Sequence, residues 1–207
     1  MPKNWKYIKK LLEKEFLCEK LRGRITYDLT DYRSAPWYRQ HFIMKYDDAV
    51  LLDARQVSHE WYKDNPLPKR WYMPCKMIAQ KTYDRYKKFG VSKSTIEQTT
   101  EYIVEEARAY ISHYNGFYGC EEIMDAIAVY LHQDVQKSLN SQEFLICGLA
   151  AIDRRCGKRS LEKLAKCDRV IFPDWLCRIF RLRFEAEEIQ YTDAYRRGNC
   201  NSSFNVL

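Results

Sequence analysis

Residues 24–30, RITYDLT, change the period of the chain. Ile25, Tyr27 and Leu29 alternate with Thr26, Asp28 and Thr30, the pattern of a half-buried β-strand. Phe42, Met44 and Tyr46 repeat it, and Asp47-Asp48 then separates this run from AVLLDA, residues 49–54. That spacing suits a tight hairpin, although neither aspartate is the glycine such turns favour. The reading is a three-stranded antiparallel meander, with SAPWYRQ (34–40) joining the first two strands.

On either side of the meander the period is helical. Trp5, Ile8, Leu11, Leu12 and Phe16 recur at three- and four-residue spacing among lysines, which predicts an amphipathic helix with a basic outer face. The three prolines of KDNPLPKRWYMP (63–74) end the strand region. Everything after Cys75 reads as helix. One segment runs from Lys76 to a C-cap at Gly90, and a longer one follows from Ser94 until Gly116 and Gly119 break it. Further helices are expected over 121–132, through FLICGLAAI (144–152) with Asn140 and Glu143 as a capping pair, and from Pro173-Asp174 to Ile189. The fold class is therefore α+β: a helix, a small N-terminal antiparallel sheet, then a helical C-terminal half. The expected units are residues 1–70, the helix plus meander; 71–192, a helical region packed on it; and 193–207, a flexible tail.

The composition suits a self-sufficient globular core, with 207 residues, 46% apolar content and only 7 glycines. None of the eight cysteines forms C-x-x-C, so free thiols in a reducing compartment are expected. No apolar run approaches the roughly 18 residues of a membrane span, and no secretory signal is visible. The expected location is the cytoplasm, with no membrane partner. The four histidines lack metal-site spacing and no cofactor fingerprint appears, so neither a metal nor a cofactor is expected.

The net charge of +7 is unevenly spread: residues 1–24 carry +5, 76–90 carry +4, 91–153 carry −7 and 154–207 carry +5. Two basic groups stand out. In AAIDRRCGKRSLEKL (150–164), Arg154 and Arg155 fall at the end of one predicted helix and Lys158 and Arg159 at the start of the next. Gly157 would supply a left-handed cap and Ser160 would cap the second helix. Such a corner can be purely structural, or its four cations can serve phosphate or carboxylate groups. In KLRGRITY (20–27), Lys20, Arg22 and Arg24 surround Gly23, either as solvated charges at a helix-to-strand turn or as arginines beside sheet aromatics, a combination that suits single-stranded nucleic acid. Cys156, next to Arg155, is the better candidate for a reactive thiolate. The acidic pairs Glu105-Glu106, Glu121-Glu122 and Glu187-Glu188 read as solvated helix faces.

LRGRITY followed by DYR, then SLNSQEFLICGLAAIDRRCGKRSLEKL and PDWLCRIFRLRFEAE, resemble an uncharacterised bacterial family of small cytoplasmic proteins often carried by mobile elements. Its members show L-[KR]-G-R-[VI], R-Y-R, D-R-R-x-G-K-R and W-L-x-x-x-x-x-L-R-x-E-A. Here TDYR stands in place of the R-Y-R triplet, so only Arg33 of that triplet is kept. The resemblance implies a bacterial or phage setting and no particular reaction.

The basic surfaces, without catalytic geometry, point to a non-enzymatic binding protein that engages nucleic acid or a nucleoprotein complex. Lys20, Arg22, Arg24, Arg33, Arg154, Arg155, Lys158 and Arg159 would carry it. In a mobile-element setting the target could be a host defence complex. The alternatives are a protein-interaction or self-assembly module, joining the acidic middle to the basic ends, and an enzyme whose site assembles from scattered residues.

Overall fold

The computed structural model describes residues 4–31, 38–57, 84, 92, 112–113, 115–118, 122–167 and 172–196. Helix α1, Trp5–Lys10, runs into a π-helical stretch, Leu11–Phe16, where the Leu17 amide reaches back five residues to the Leu12 carbonyl at 3.1 Å. A 3-10 turn, Glu19–Leu21, then leads to Gly23 at φ +82°, a left-handed conformation that glycine adopts without a Cβ penalty. The expected helix-to-strand turn is thus present.

Strands β1 (Ile25–Asp31), β2 (Tyr38–Tyr46) and β3 (Ala49–Val57) form the antiparallel meander, with Tyr27 opposite Met44 and Met44 opposite Leu52. Asp47 and Asp48 both take positive φ, +44° and +67°, so this two-residue hairpin adopts the left-handed turn without glycine. Tyr38, Arg39 and Gln40 belong to β2 rather than to the preceding loop. The register shifts after Met44, which leaves Leu51 without a partner across the pair and lets both Leu51 and Leu52 be buried.

One element was not expected. Phe117–Tyr118 forms β4, which adds to β3 in parallel and makes the order β1-β2-β3-β4. Gly116 does interrupt the chain, but for a reason the sequence hides. Its φ is +79°, a Cβ there would stand 3.1 Å from the Asp53 carbonyl oxygen, and its own carbonyl accepts from Arg55 N at 2.7 Å.

The helices that follow are α2 (Glu122–His132), α3 (Val135–Leu139), α4 (Phe144–Ala151), α5 (Lys158–Ala165), α6 (Asp174–Ala186) and α7 (Asp193–Arg196). All eight residues of α4 are buried, as its unbroken apolar sequence demands, and α2, α3 and α6 surround it. Gly148 allows the close approach to α6: a Cβ would lie 3.3 Å from the Trp175 ring and 3.4 Å from Leu176. Tyr27, Leu29, Phe42, Met44, Leu52 and Ala54 on one face of the sheet join these helices in a single core that extends to Tyr195. On the outer edge of the sheet, Glu13 accepts from the β1 amide of Tyr27 at 3.1 Å.

Three local expectations are corrected. Glu143 is itself the N-cap of α4, accepting from Leu145 N at 3.1 Å, while Asn140 closes the preceding α3. Gly157 is extended (φ −71°, ψ 151°) and serves as the N-cap of α5, so it is not a left-handed cap. Ser160 lies inside the first turn of α5, and its hydroxyl donates to Gln136 Oε1 at 2.9 Å. Beyond α6, Thr192 N donates to Ala165 O and Tyr195 Oη to Leu164 O, which docks α7 inside the stretch expected as tail. The expected boundary near residue 70, the helices over 76–114 apart from Asp84, Ser92, Ser112 and His113, and the end of the tail lie outside the described residues. No helix among the described residues is long and apolar enough to cross a membrane.

Candidate anion-binding corner

The chain leaves α4 at Ala151 and turns sharply through Ile152–Gly157. That turn is held by the N-terminal segment: Cys18 N donates to Ile152 O at 2.9 Å, Arg154 N to Phe16 O at 2.7 Å, and Leu17 bridges Asp153. The two basic groups, remote in sequence, thus meet on one backbone scaffold.

At its centre the Asp153 side chain is fully buried. It accepts from Tyr130 Oη at 2.6 Å, from Arg155 N at 2.7 Å and from the Arg155 guanidinium at 2.6–3.2 Å. Arg155 is clamped further by the Phe16 ring, 4.2 Å from Cζ. Its charge neutralises a buried carboxylate, so of the four cations expected to face a ligand, Arg155 is largely consumed by the fold. Arg24 is likewise engaged: its Nε contacts both Asp47 oxygens at 3.1 Å and its Cζ stacks 4.4 Å above Tyr46. That ion pair pins the hairpin turn. Neither Arg154 nor Arg155 lies in a helical turn, since α4 has already ended.

The other expected residues do stay outside. Arg22, Arg154 and Arg159 are exposed and make no side-chain hydrogen bond or ion pair among the described residues. Lys20 approaches Glu187 Oε2 at 3.5 Å, and Lys158 donates to the Glu187 main-chain carbonyl at 3.1 Å. Arg33 lies outside the described residues. Helix α5 begins on Gly157 without a side-chain cap or an acidic residue in its first turn, so its positive end adds to the field of Lys158 and Arg159.

Glu187, read as part of a solvated pair, instead organises this corner from behind. Beside Lys20 and Lys158 it contacts the buried Arg183 guanidinium at 3.3 Å, which also donates to Cys156 O at 3.3 Å. Cys156 is no reactive thiolate: burial pushes its thiol up to about 11, despite the opposing influence of Arg183. Cys18, Cys147 and Cys177 are buried free thiols as expected, while Cys167 is free and exposed.

A second polar cluster escaped the sequence reading. His113 Nδ1 lies 2.7 Å from Glu143 and Nε2 lies 3.0 Å from Glu122, while its ring stacks on Tyr118 with centroids 4.5 Å apart. Burial alone would lower its pKa, but the two carboxylates outweigh that and raise it to about 9. No trio of His, Cys, Asp or Glu among the described residues is arranged to hold a metal ion.

Fold and corner together define a small α+β protein that presents a rigid basic turn. Its family follows from the sequence as a whole: residues 4–184 match the SF0329 protein family, and the chain belongs to it. The match takes in both basic groups and the stretch between them. No curated protein and no solved structure matches the chain.

Proposed function

We propose that the corner is a polyanion-binding face through which the protein engages nucleic acid or a nucleoprotein complex without catalysing a reaction. One observation carries this reading. Arg22, Arg154 and Arg159 are exposed and unpaired among the described residues, and with Lys20 and Lys158 they flank the segments 16–18 and 152–154 that main-chain hydrogen bonds lock together. Cations held on a rigid scaffold bind phosphates with little ordering cost. The setting implied by the family resemblance, proteins carried by phages and other mobile elements, makes a host defence nucleoprotein one concrete target for such a face.

The test is a salt titration of binding to short single- and double-stranded DNA and RNA. Replacing Arg154, Lys158 and Arg159 together with Gln should reduce the slope of log affinity against log salt by about 2–3, because each phosphate contact contributes ~0.7–0.9. The unfolding midpoint should stay near that of the wild type. Absence of binding at low salt would overturn the reading. Of the described acids that the assembly alternative would use, Asp153 is buried, Asp134 caps α3, Glu122 and Glu143 hold His113, and Asp125 is exposed.

A further inference from the structure

Between α1 and the first two strands lies a groove that no feature of the corner explains. It has a volume of about 540 Å³ and is lined by Trp5, Lys6 and Lys9 of α1, Asp28, Leu29 and Thr30 of β1, and Ile43 and Lys45 of β2. That size lies within the ~300–1,000 Å³ typical of small-molecule sites. Three ammonium groups face one carboxylate here, so the groove keeps a net positive charge. Asp28 fixes two of them, with Lys9 and Lys45 each 3.1 Å from its oxygens, and Lys9 also approaches Glu13 at 3.7 Å. The bond to Lys9, with that to Lys45, holds the Asp28 carboxyl below the usual carboxylate range.

An ammonium has three donors. Lys45 uses one of them on Asp28, and Lys6 is exposed with no ion pair among the described residues. Donors therefore remain for an incoming anion, those of Lys45 at a position already set by the carboxylate. The Thr30 hydroxyl is buried and has no hydrogen-bond partner among the described residues, an uncommon state for a polar group. Ile43 and the aliphatic stems of the lysines contribute apolar surface, over a floor of Trp5 and Leu29, both buried in the core; Trp5 is held there by an edge-to-face contact with Phe42 at 6.0 Å.

We propose that this groove binds a small organic anion, with an apolar body lying against Ile43 and the lysine stems and a single anionic head group between Lys6 and Lys45. The site is separate from the basic corner and does not depend on the polyanion reading. Lysines rather than arginines suit a compact head group met by point charges, in contrast to the forked recognition that arginine favours.

The experiment is a fluorescence titration of the full chain with 8-anilinonaphthalene-1-sulfonate, alongside the uncharged N-phenyl-1-naphthylamine. One saturable sulfonate site is expected. The double variant K6Q/K45Q should weaken it by about tenfold or more, because hydrogen bonds to charged groups are lost. Ile43→Trp should block it, and R154Q/K158Q/R159Q should leave it unchanged. Equal affinity in K6Q/K45Q, retention in Ile43→Trp, salt-independent binding of the uncharged compound at equal strength, loss in the corner variant, or no saturable binding up to millimolar probe would each overturn the proposal. Lys6 is exposed, so Lys6→Gln alone gives a variant of native stability should either of the others fail to fold.

Discussion

Asp153 and Arg155 show how two neighbouring charges divide between fold and surface. The carboxylate is wholly enclosed while the guanidinium keeps about a third of its side-chain surface, 34%, in contact with solvent. Removing the two partners is therefore not equivalent. Asp153→Asn keeps an oxygen for Tyr130 and lets Arg155 turn outward, and should lower stability by about 1–3 kcal/mol. Arg155→Met strands a buried carboxylate and should lower it by about 3–5 kcal/mol. Urea unfolding of both variants measures the order, and a smaller loss for Arg155→Met would contradict the account. His113 gives a pH signature. Its folded pKa of about 9 lies above the unfolded value, so its contribution is complete below pH ~6.5 and disappears as pH rises through 9. Stability should fall across that window, by at most about 1.4 kcal/mol per pH unit for one proton, and His113→Gln should flatten the slope.

Among the elements, the hairpin between β2 and β3 invites improvement. Asp48 holds a left-handed φ of +67° with no side-chain contact that compensates for it, whereas Asp47 is tied to Arg24. Asp48→Gly should raise stability by about 0.5–1 kcal/mol, read from the thermal midpoint. Gly148 demands the opposite. Gly148→Val would drive methyl groups into Trp175, Leu176 and Ile179, and should destabilise by ~1–3 kcal/mol. The meander was legible because Ile25, Tyr27 and Leu29 alternate and Asp47-Asp48 marks the turn. Helices α2, α4 and α6 were legible from their apolar spacing. Strand β4 was not: two residues carry no period, and their pairing depends on Gly116 approaching the Asp53 carbonyl, a distant contact. The π-helical stretch was hidden for a related reason, since its apolar spacing resembles that of an ordinary helix.

At the scale of the molecule, the sequence marked Arg154, Lys158, Arg159, Lys20 and Arg22 as cations but could not show which ones the fold consumes. Arg24 and Arg155 were indistinguishable from their neighbours until Asp47 and Asp153 came into contact with them. His113, Glu122 and Glu143 likewise meet only through tertiary packing. The backbone bridge between Leu17 and Asp153 has a further consequence for biosynthesis. A ribosome delivers α1 and the meander long before residues 152–154, so Leu17 and Cys18 wait for their main-chain partners while most of the remaining polypeptide is made. Premature termination before Ile152 would leave those backbone groups unpaired and the sheet without α6, which packs against β3, making the fragment a natural client for chaperones and proteases.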